Sequence, residues 1–230
     1  MNLTPVLQPY MIEPDILLVD KPSGISSFDV IRILRRNLGI RKMGHAGTLD
    51  PLASGLMIVG IQTGTKKLTH YLKLPKEYIA TIQLGSATTS GDTEGETICI
   101  LDNFDIPTEK QIQEVLTSLL GEHDIVPPVY SAIKVDGRPL YWYARKNTCP
   151  IFMPTKHMGV TDIEFLSLQN DQQGVWKISC RIAVTSGTYI RSLAELVGQG
   201  LGIPATLSAL RRVRIESWDV RNAFDIKNMI

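Results

Sequence analysis

Cysteine is scarce in this chain. Cys99, Cys149 and Cys180 are odd in number and widely spaced, with no C-x-x-C pair. That excludes a disulfide framework and a thiolate zinc site, and it fits buried, unpaired thiols in a reducing compartment. No apolar run approaches the length that a membrane-crossing helix needs. The first ten residues have neither a basic n-region nor an apolar h-region, so no secretory leader is expected and the expected location is cytoplasmic. An excess of charge is also missing: 24 Lys and Arg stand against 23 Asp and Glu, a formal net charge of +1. The total therefore does not announce a nucleic-acid binder. His45, His70, His123 and His157 stand apart, without the close spacing of metal ligands, and no metal is expected.

Two glycine-rich stretches fail as nucleotide motifs. In Gly60-Ile61-Gln62-Thr63-Gly64-Thr65-Lys66 the second glycine comes one residue early, and Thr65 intervenes before the lysine. Gly198-Gln199-Gly200-Leu201-Gly202 lacks the dinucleotide spacing and follows a helical pattern rather than a strand. Chemistry driven by a nucleotide or a metal loses ground on both counts, and the expectation is an enzyme without cofactors.

What is present is ordinary material for a core. Of 230 residues, 43% are apolar and 20% charged, enough for one large domain without staples. The charge is unevenly spread. Arg32, Arg35, Arg36, Arg41 and Lys42 crowd one stretch, and Arg211, Arg212 and Arg214 another. Either cluster taken alone fits a solvated helix or strand end; together they would suit a polyanion of limited contact area.

Along the chain, Ile16 to Val19 reads as a buried strand before the turn at Lys21 to Gly24. Ser26 and Asp29 form a capping box, and Phe28, Ile31, Leu34 and Leu38 mark the expected buried stripe of a helix stopped by Gly39. Residues 44–55 are punctuated by glycine and read as a structured loop ahead of a strand at Leu56 to Ile61. Glu77 to Leu84 alternates as a strand, with Tyr78, Ala80, Ile82 and Leu84 on one face. Residues 88–96 read as a polar turn, with Ile98 to Leu101 returning as a hairpin partner. Thr108 and Gln111 cap a helix whose apolar face is Ile112, Val115, Leu116, Leu119 and Leu120, closed by Gly121. Residues 127–154 form an aromatic and basic segment. Trp176 to Val184 is the clearest half-buried strand, and Tyr189 to Val197 reads as a helix. The order of elements predicts an α+β fold, a mixed and mostly antiparallel central sheet flanked by helices and long loops.

The stretch Gly44-His45-Ala46-Gly47-Thr48-Leu49-Asp50-Pro51-Leu52-Ala53-Ser54-Gly55 resembles the signature loop of the TruB family of pseudouridine synthases. Further segments match in family order over nearly the whole chain. They are Leu18 to Pro22 with Gly24, Ser26 and Ser27; Lys76-Glu77-Tyr78; Asp92 with Gly95; Pro128 to Lys134; Tyr141 with Ala144-Arg145; Gly187 to Arg191; and Leu210-Arg211-Arg212. The resemblance implies a pseudouridine-synthase-like fold in one catalytic domain over residues 1–230. It also implies an RNA-clamping insertion around residues 125–154 and no C-terminal PUA-type domain. Thr89 departs from the family, standing where an acidic residue is usual.

The implied activity is isomerisation of a T-loop uridine of tRNA, position 55, by a monomer needing no guide RNA, protein partner or membrane. The reaction breaks the bond from uracil N1 to the ribose, turns the base and rebonds it through C5. It needs no redox step, in keeping with the missing cofactor motifs. Asp50 matches the family nucleophile. A carboxylate can attack the ribose, attack the ring or act as base at the 2′ position, and the sequence leaves these open. By the same resemblance Arg191 pairs with the catalytic aspartate, and Tyr78 stacks on the base and is a candidate for taking the C5 proton. Tyr189 and Leu210 line the uracil pocket, Lys21 supports the loop, and Asp92 lies in an RNA-facing loop. His45 fills the space that the flipped base leaves. The two basic clusters then become phosphate contacts.

Overall fold

The computed structural model describes residues 5–146, 148 and 150–229. In chain order they form β1 (Met11–Glu13), β2 (Ile16–Lys21), α1 (Ser27–Leu38), β3 (Met43–Ala46), β4 (Ser54–Ile61), α2 (Leu68–Leu72) and β5 (Lys76–Leu84). Next come β6 (Ser86–Thr88), β7 (Thr97–Ile100), α3 (Glu109–Ser118), β8 (Gly121–Ile125), β9 (Lys134–Val135), β10 (Arg138–Pro139) and α4 (Leu140–Arg145). The chain closes with β11 (Lys156–Asn170), β12 (Trp176–Val184), α5 (Ile190–Leu201), β13 (Ala205–Ile215), β14 (Trp218–Asp219) and β15 (Phe224–Asp225). Two compact units divide these elements: unit 1 holds Met1–Ile79 with Leu210–Ile230, and unit 2 holds Ala80–Ala209. Strands β5 and β13 run through both.

In unit 1 the strand order is β1-β2-β4-β13-β5. Strand β4 pairs antiparallel with β2 along its length. It also pairs antiparallel with β3 at residues 58–61, and in parallel with β13 at Ser54 and Gly55. The connection at residues 47–53 leads from β3 into the end of β4 that pairs with β13. Both faces of β2 and β4 are buried, so Ile16 to Val19 and Leu56 to Val59 read as continuous apolar runs. Ile16, Leu18, Leu56 and Ile58 pack with Tyr71, Ile215 and Val220 in one cluster.

Helix α1 is capped by Ser26 and Asp29 through a reciprocal capping box and ended by Gly39 at φ 66°. Its buried stripe is Ser27, Val30, Ile31 and Leu34: Ile31 and Leu34 as expected, with Ser27 and Val30 in place of Phe28 and Leu38. Phe28 is half exposed, with the Arg32 and Arg35 guanidinium carbons 5.2 and 5.6 Å from its ring centroid. The ring lies at the helix surface, within cation–π reach of both guanidinium groups. Residues 44–46, expected to open a loop, belong to strand β3, since the backbone of β4 offers them a ladder.

In unit 2 the order is β13-β5-β12-β11-β8. Strand β12 alternates as its sequence predicts, and β11 pairs with it antiparallel over most of its length. Helix α3 packs on α5 and β11. Its Leu120 is exposed, because the helix ends at Ser118 and Gly121 already opens β8. The short strand β7 pairs with β6 rather than with β5. Cys180 is buried as expected, whereas Cys99 sits exposed on β7; Cys149 lies outside the described residues. Among the described residues no helix is long and apolar enough to cross a membrane.

Candidate active site

Unit 1 carries Asp50 on a connection whose backbone is held from several sides. Ser27, the first residue of α1 and buried, accepts from the Leu49 N–H at 2.8 Å and donates to the Leu49 carbonyl at 3.0 Å. The Asp50 carbonyl accepts from Ala53 N–H at 3.0 Å, and Pro51 O accepts from Gly24 N–H at 2.8 Å. Ser23 Oγ donates to Leu52 O at 2.8 Å. Lys21 is fully buried and donates to Pro22 O, Ile25 O and Pro51 O, so its ammonium joins the turn after β2 to this loop.

Arg212 braces the loop from β13. It is 1% exposed, its Nε donates to Leu56 O at 2.7 Å and its Nη2 to Gly47 O at 3.1 Å. A side chain on Gly55 is impossible here: a Cβ would lie 2.2 Å from the Arg212 carbonyl oxygen, and Gly55 has φ 107°. The expectation that Arg211, Arg212 and Arg214 form a phosphate-binding patch is therefore corrected for Arg212. Arg211 pairs with Asp20 at 2.7 Å, Arg214 lies 3.7 Å from both Glu77 and Asp219, and Arg212 is internal.

His45 stands on β3 opposite Val59. Its Nδ1 is buried without a hydrogen-bond partner, and burial, then the nearby Arg212 cation, lower the pKa of the ring. A neutral imidazole at neutral pH follows. Tyr78 and Leu210 are both buried, Tyr78 on the inward face of β5.

Lys76, at the start of β5, is buried and donates to Leu72 O and Leu74 O. Burial, with Arg212 nearby as the second cause, pushes its ammonium down to about 8. The unfolded chain keeps that proton up to about 10.4. The folded state thus binds fewer protons between those values, and its stability rises with pH across that window by up to about 3 kcal/mol. In Lys76→Met the rise is expected to vanish. Urea unfolding of both proteins at pH 7.5, 8.5 and 9.5 checks this, and parallel slopes would assign the effect elsewhere.

Unit 2 carries Asp92, Tyr189 and Arg191. Arg191, on α5, is 5% exposed rather than a surface charge. Its Nη1 donates to Ser90 O at 2.8 Å, its Nη2 to Tyr130 O at 2.9 Å, and its Nε lies 3.7 Å from the Asp92 carboxylate. Asp92 is itself 4% exposed, and it accepts from Ser90 Oγ at 2.6 Å and from Glu94 N–H at 3.1 Å. It stands inside its loop, against Arg191. Tyr189 precedes α5, and the Lys156 ammonium lies 5.2 Å from its ring centroid.

Ser27 and Glu195 had no role in the sequence reading, and Arg212 only that of a phosphate contact. Ser27 and Arg212 fell inside matched segments, but only the fold reveals what they hold. Glu195 lies one turn along from Arg191, and burial raises its pKa against the opposing pull of that cation.

The family model described as TruB family pseudouridylate synthase (N terminal domain) matches residues 35–190. A relative in Leifsonia xyli called tRNA pseudouridine synthase B is 41% identical over 224 residues, covering 95% of this chain and 72% of the relative. One of the same name in Opitutus terrae is 39% identical, covering 96% and 89%. Among solved structures, a chain of an H/ACA RNP bound to a substrate RNA containing 2'-deoxyuridine aligns with TM-score 0.67 and 25% identity over 92% of this chain. A chain of a Cbf5-Nop10-Gar1 complex aligns with TM-score 0.65 and 30% identity over 87%. The present chain spans about half the length of each, 51% and 48%.

Proposed function

Since the chain belongs to the TruB family of pseudouridylate synthases, we propose that it converts the uridine at position 55 of the tRNA T-loop to pseudouridine, acting without a guide RNA. The observation that carries the reading is the loop at residues 47–53, in which Asp50 follows a residue fixed through both its backbone polar groups. A carboxylate placed to react must keep one position while the base leaves and returns, and a loop anchored through its backbone meets that need.

The reaction begins with extrusion of the target nucleotide from its stack, at a cost of a few kcal/mol. His45, neutral and planar, suits the vacated space. Asp50 then serves the cleavage of the N1 glycosidic bond, as nucleophile or as base at the 2′ position. After the ring has turned, C5 bonds to C1′ and its proton departs, with Tyr78 the proposed acceptor. Arg191 is the third proposed catalytic residue, held in unit 2 by Asp92 and two carbonyls. Tyr189 and Leu210 are proposed to contact the uracil, and Lys21 to support the loop. The protein is proposed to work as a cytoplasmic monomer.

The test is release of tritium from uridine C5 in an unmodified tRNA transcript, with no other RNA or protein added. Release mapped to the T-loop is expected. Activity seen only after a guide RNA is supplied would overturn the stand-alone reading.

RNA affinity supplies a further prediction. Arg32, Arg36, Arg41 and Lys42 are exposed on α1 and just after it, beside the half-exposed Phe28 ring. They are the proposed phosphate contacts, and binding should weaken steeply with salt. Arg36→Gln combined with Arg41→Gln is expected to reduce the slope of log affinity against log salt by roughly 1–2. An unchanged slope in filter binding would remove this face from the interface.

A further inference from the structure

We infer that Ser27 is a positioning residue for the reaction: its buried hydroxyl holds both backbone polar groups of Leu49 and so fixes where the Asp50 carboxylate stands. The inference rests on Asp50 being the reacting carboxylate, as proposed above.

The geometry is that of a ladder rung made by a side chain. One oxygen accepts from Leu49 N–H at 2.8 Å and donates to Leu49 C=O at 3.0 Å, in a fully buried setting. A hydroxyl is the smallest side-chain group able to do both at once. Its own place is set firmly, because Ser27 opens α1 inside the capping box formed by Ser26 and Asp29. The rigidity of the helix start thus passes to the residue before Asp50 through one atom. Arg212 holds Gly47 O, and Gly24 and Ser23 hold Pro51 O and Leu52 O. These anchors sit three residues before or one or two after Asp50, and each engages a carbonyl only. Ser27 alone among the anchors described holds both groups of the adjacent residue.

With Ser27→Ala, Leu49 keeps a buried N–H and C=O with no side chain to meet them, and the loop shifts to reach other partners. A displacement of about 1 Å of a reacting group lowers a rate by roughly a hundredfold. The expected result is a hundredfold lower kcat in single-turnover assays, with KM and tRNA affinity within about twofold of the native protein. The Leu49 amide should exchange at least about tenfold faster with deuterium, while the amides in the middle of α1 stay protected. Ser23→Ala removes an exposed anchor on the far side of Asp50 and should change kcat by less than about threefold.

Native kcat in folded Ser27→Ala would overturn the inference, and so would equal losses in Ser27→Ala and Ser23→Ala. A loss confined to affinity would also overturn it. If Ser27→Ala does not fold, Ser27→Cys keeps the volume with a weaker donor and a longer bond. About tenfold lower kcat is then expected, and full activity in Ser27→Cys would equally overturn the inference. An Asp50→Asn protein that still forms product would instead remove the premise, which keeps the two failures apart.

Discussion

Asp50→Asn is expected to lower pseudouridine formation by on the order of 10⁴-fold or more, with tRNA affinity essentially retained. The substitution keeps the shape of the side chain, and the anchors of the loop engage backbone groups of Gly47, Leu49, Pro51 and Leu52. The loop should therefore stay as it is. What disappears is the negative charge and lone-pair basicity of the carboxylate, which each reading of the chemistry needs, whether Asp50 attacks the sugar, attacks the ring or takes a proton. Tritium release gives the rate, and filter binding with the same transcript gives the affinity. A variant with near-native release would sink the assignment of Asp50; lost binding together with lost rate would mean that the carboxylate shapes the RNA site.

Arg191→Met should produce the largest loss of stability, about 3–5 kcal/mol, along with loss of activity. Methionine fills part of the volume but leaves the Asp92 carboxylate 4% exposed without its cation, and it leaves Ser90 O and Tyr130 O without their donors. A buried charge stripped of its partner is among the few single changes of this size. Adding Asp92→Asn to Arg191→Met should recover roughly 1–2 kcal/mol, since the amide needs no countercharge. Urea unfolding of the four proteins of the cycle measures the coupling. A loss below about 1 kcal/mol in Arg191→Met would show that water or other donors replace the guanidinium freely.

Much of this arrangement is legible in the sequence where local chemistry decides the outcome. The capping boxes at Ser26 and Thr108, the alternation of Tyr78 to Leu84 and of Trp176 to Val184, and the mixed, mostly antiparallel sheet all follow from neighbours close in the chain. The misreadings have equally physical causes. Strand β11 went unseen because its register shifts between Val160 and Asp162 and again between Phe165 and Ser167, so the alternation loses phase twice. The stripe of α1 was right at Ile31 and Leu34 but took Phe28 for Ser27 and Val30, because both 28, 31, 34 and 27, 30, 31, 34 fit a helical period. Which one is buried depends on the tertiary partner, and two arginines lie over the excluded ring. Arg212 looked like surface charge because its acceptors, the carbonyls of Gly47 and Leu56, lie far back in the chain and carry no side-chain signature. Ser27 hid in the same way, its partner being the backbone of Leu49.

Unit 1 draws on both halves of the chain order, residues 1–79 and 210–230. A ribosome therefore adds Asp50 about 160 residues before Arg212, an interval of roughly 8–30 s at ordinary speeds of synthesis. Ala80–Ala209 is complete before the parallel rung between β4 and β13 can form. Throughout that interval the nascent chain carries Asp50 on a loop still lacking its Arg212 brace. The loop thus gains its brace only after β13 has emerged, and β15 can pair with β2 later still.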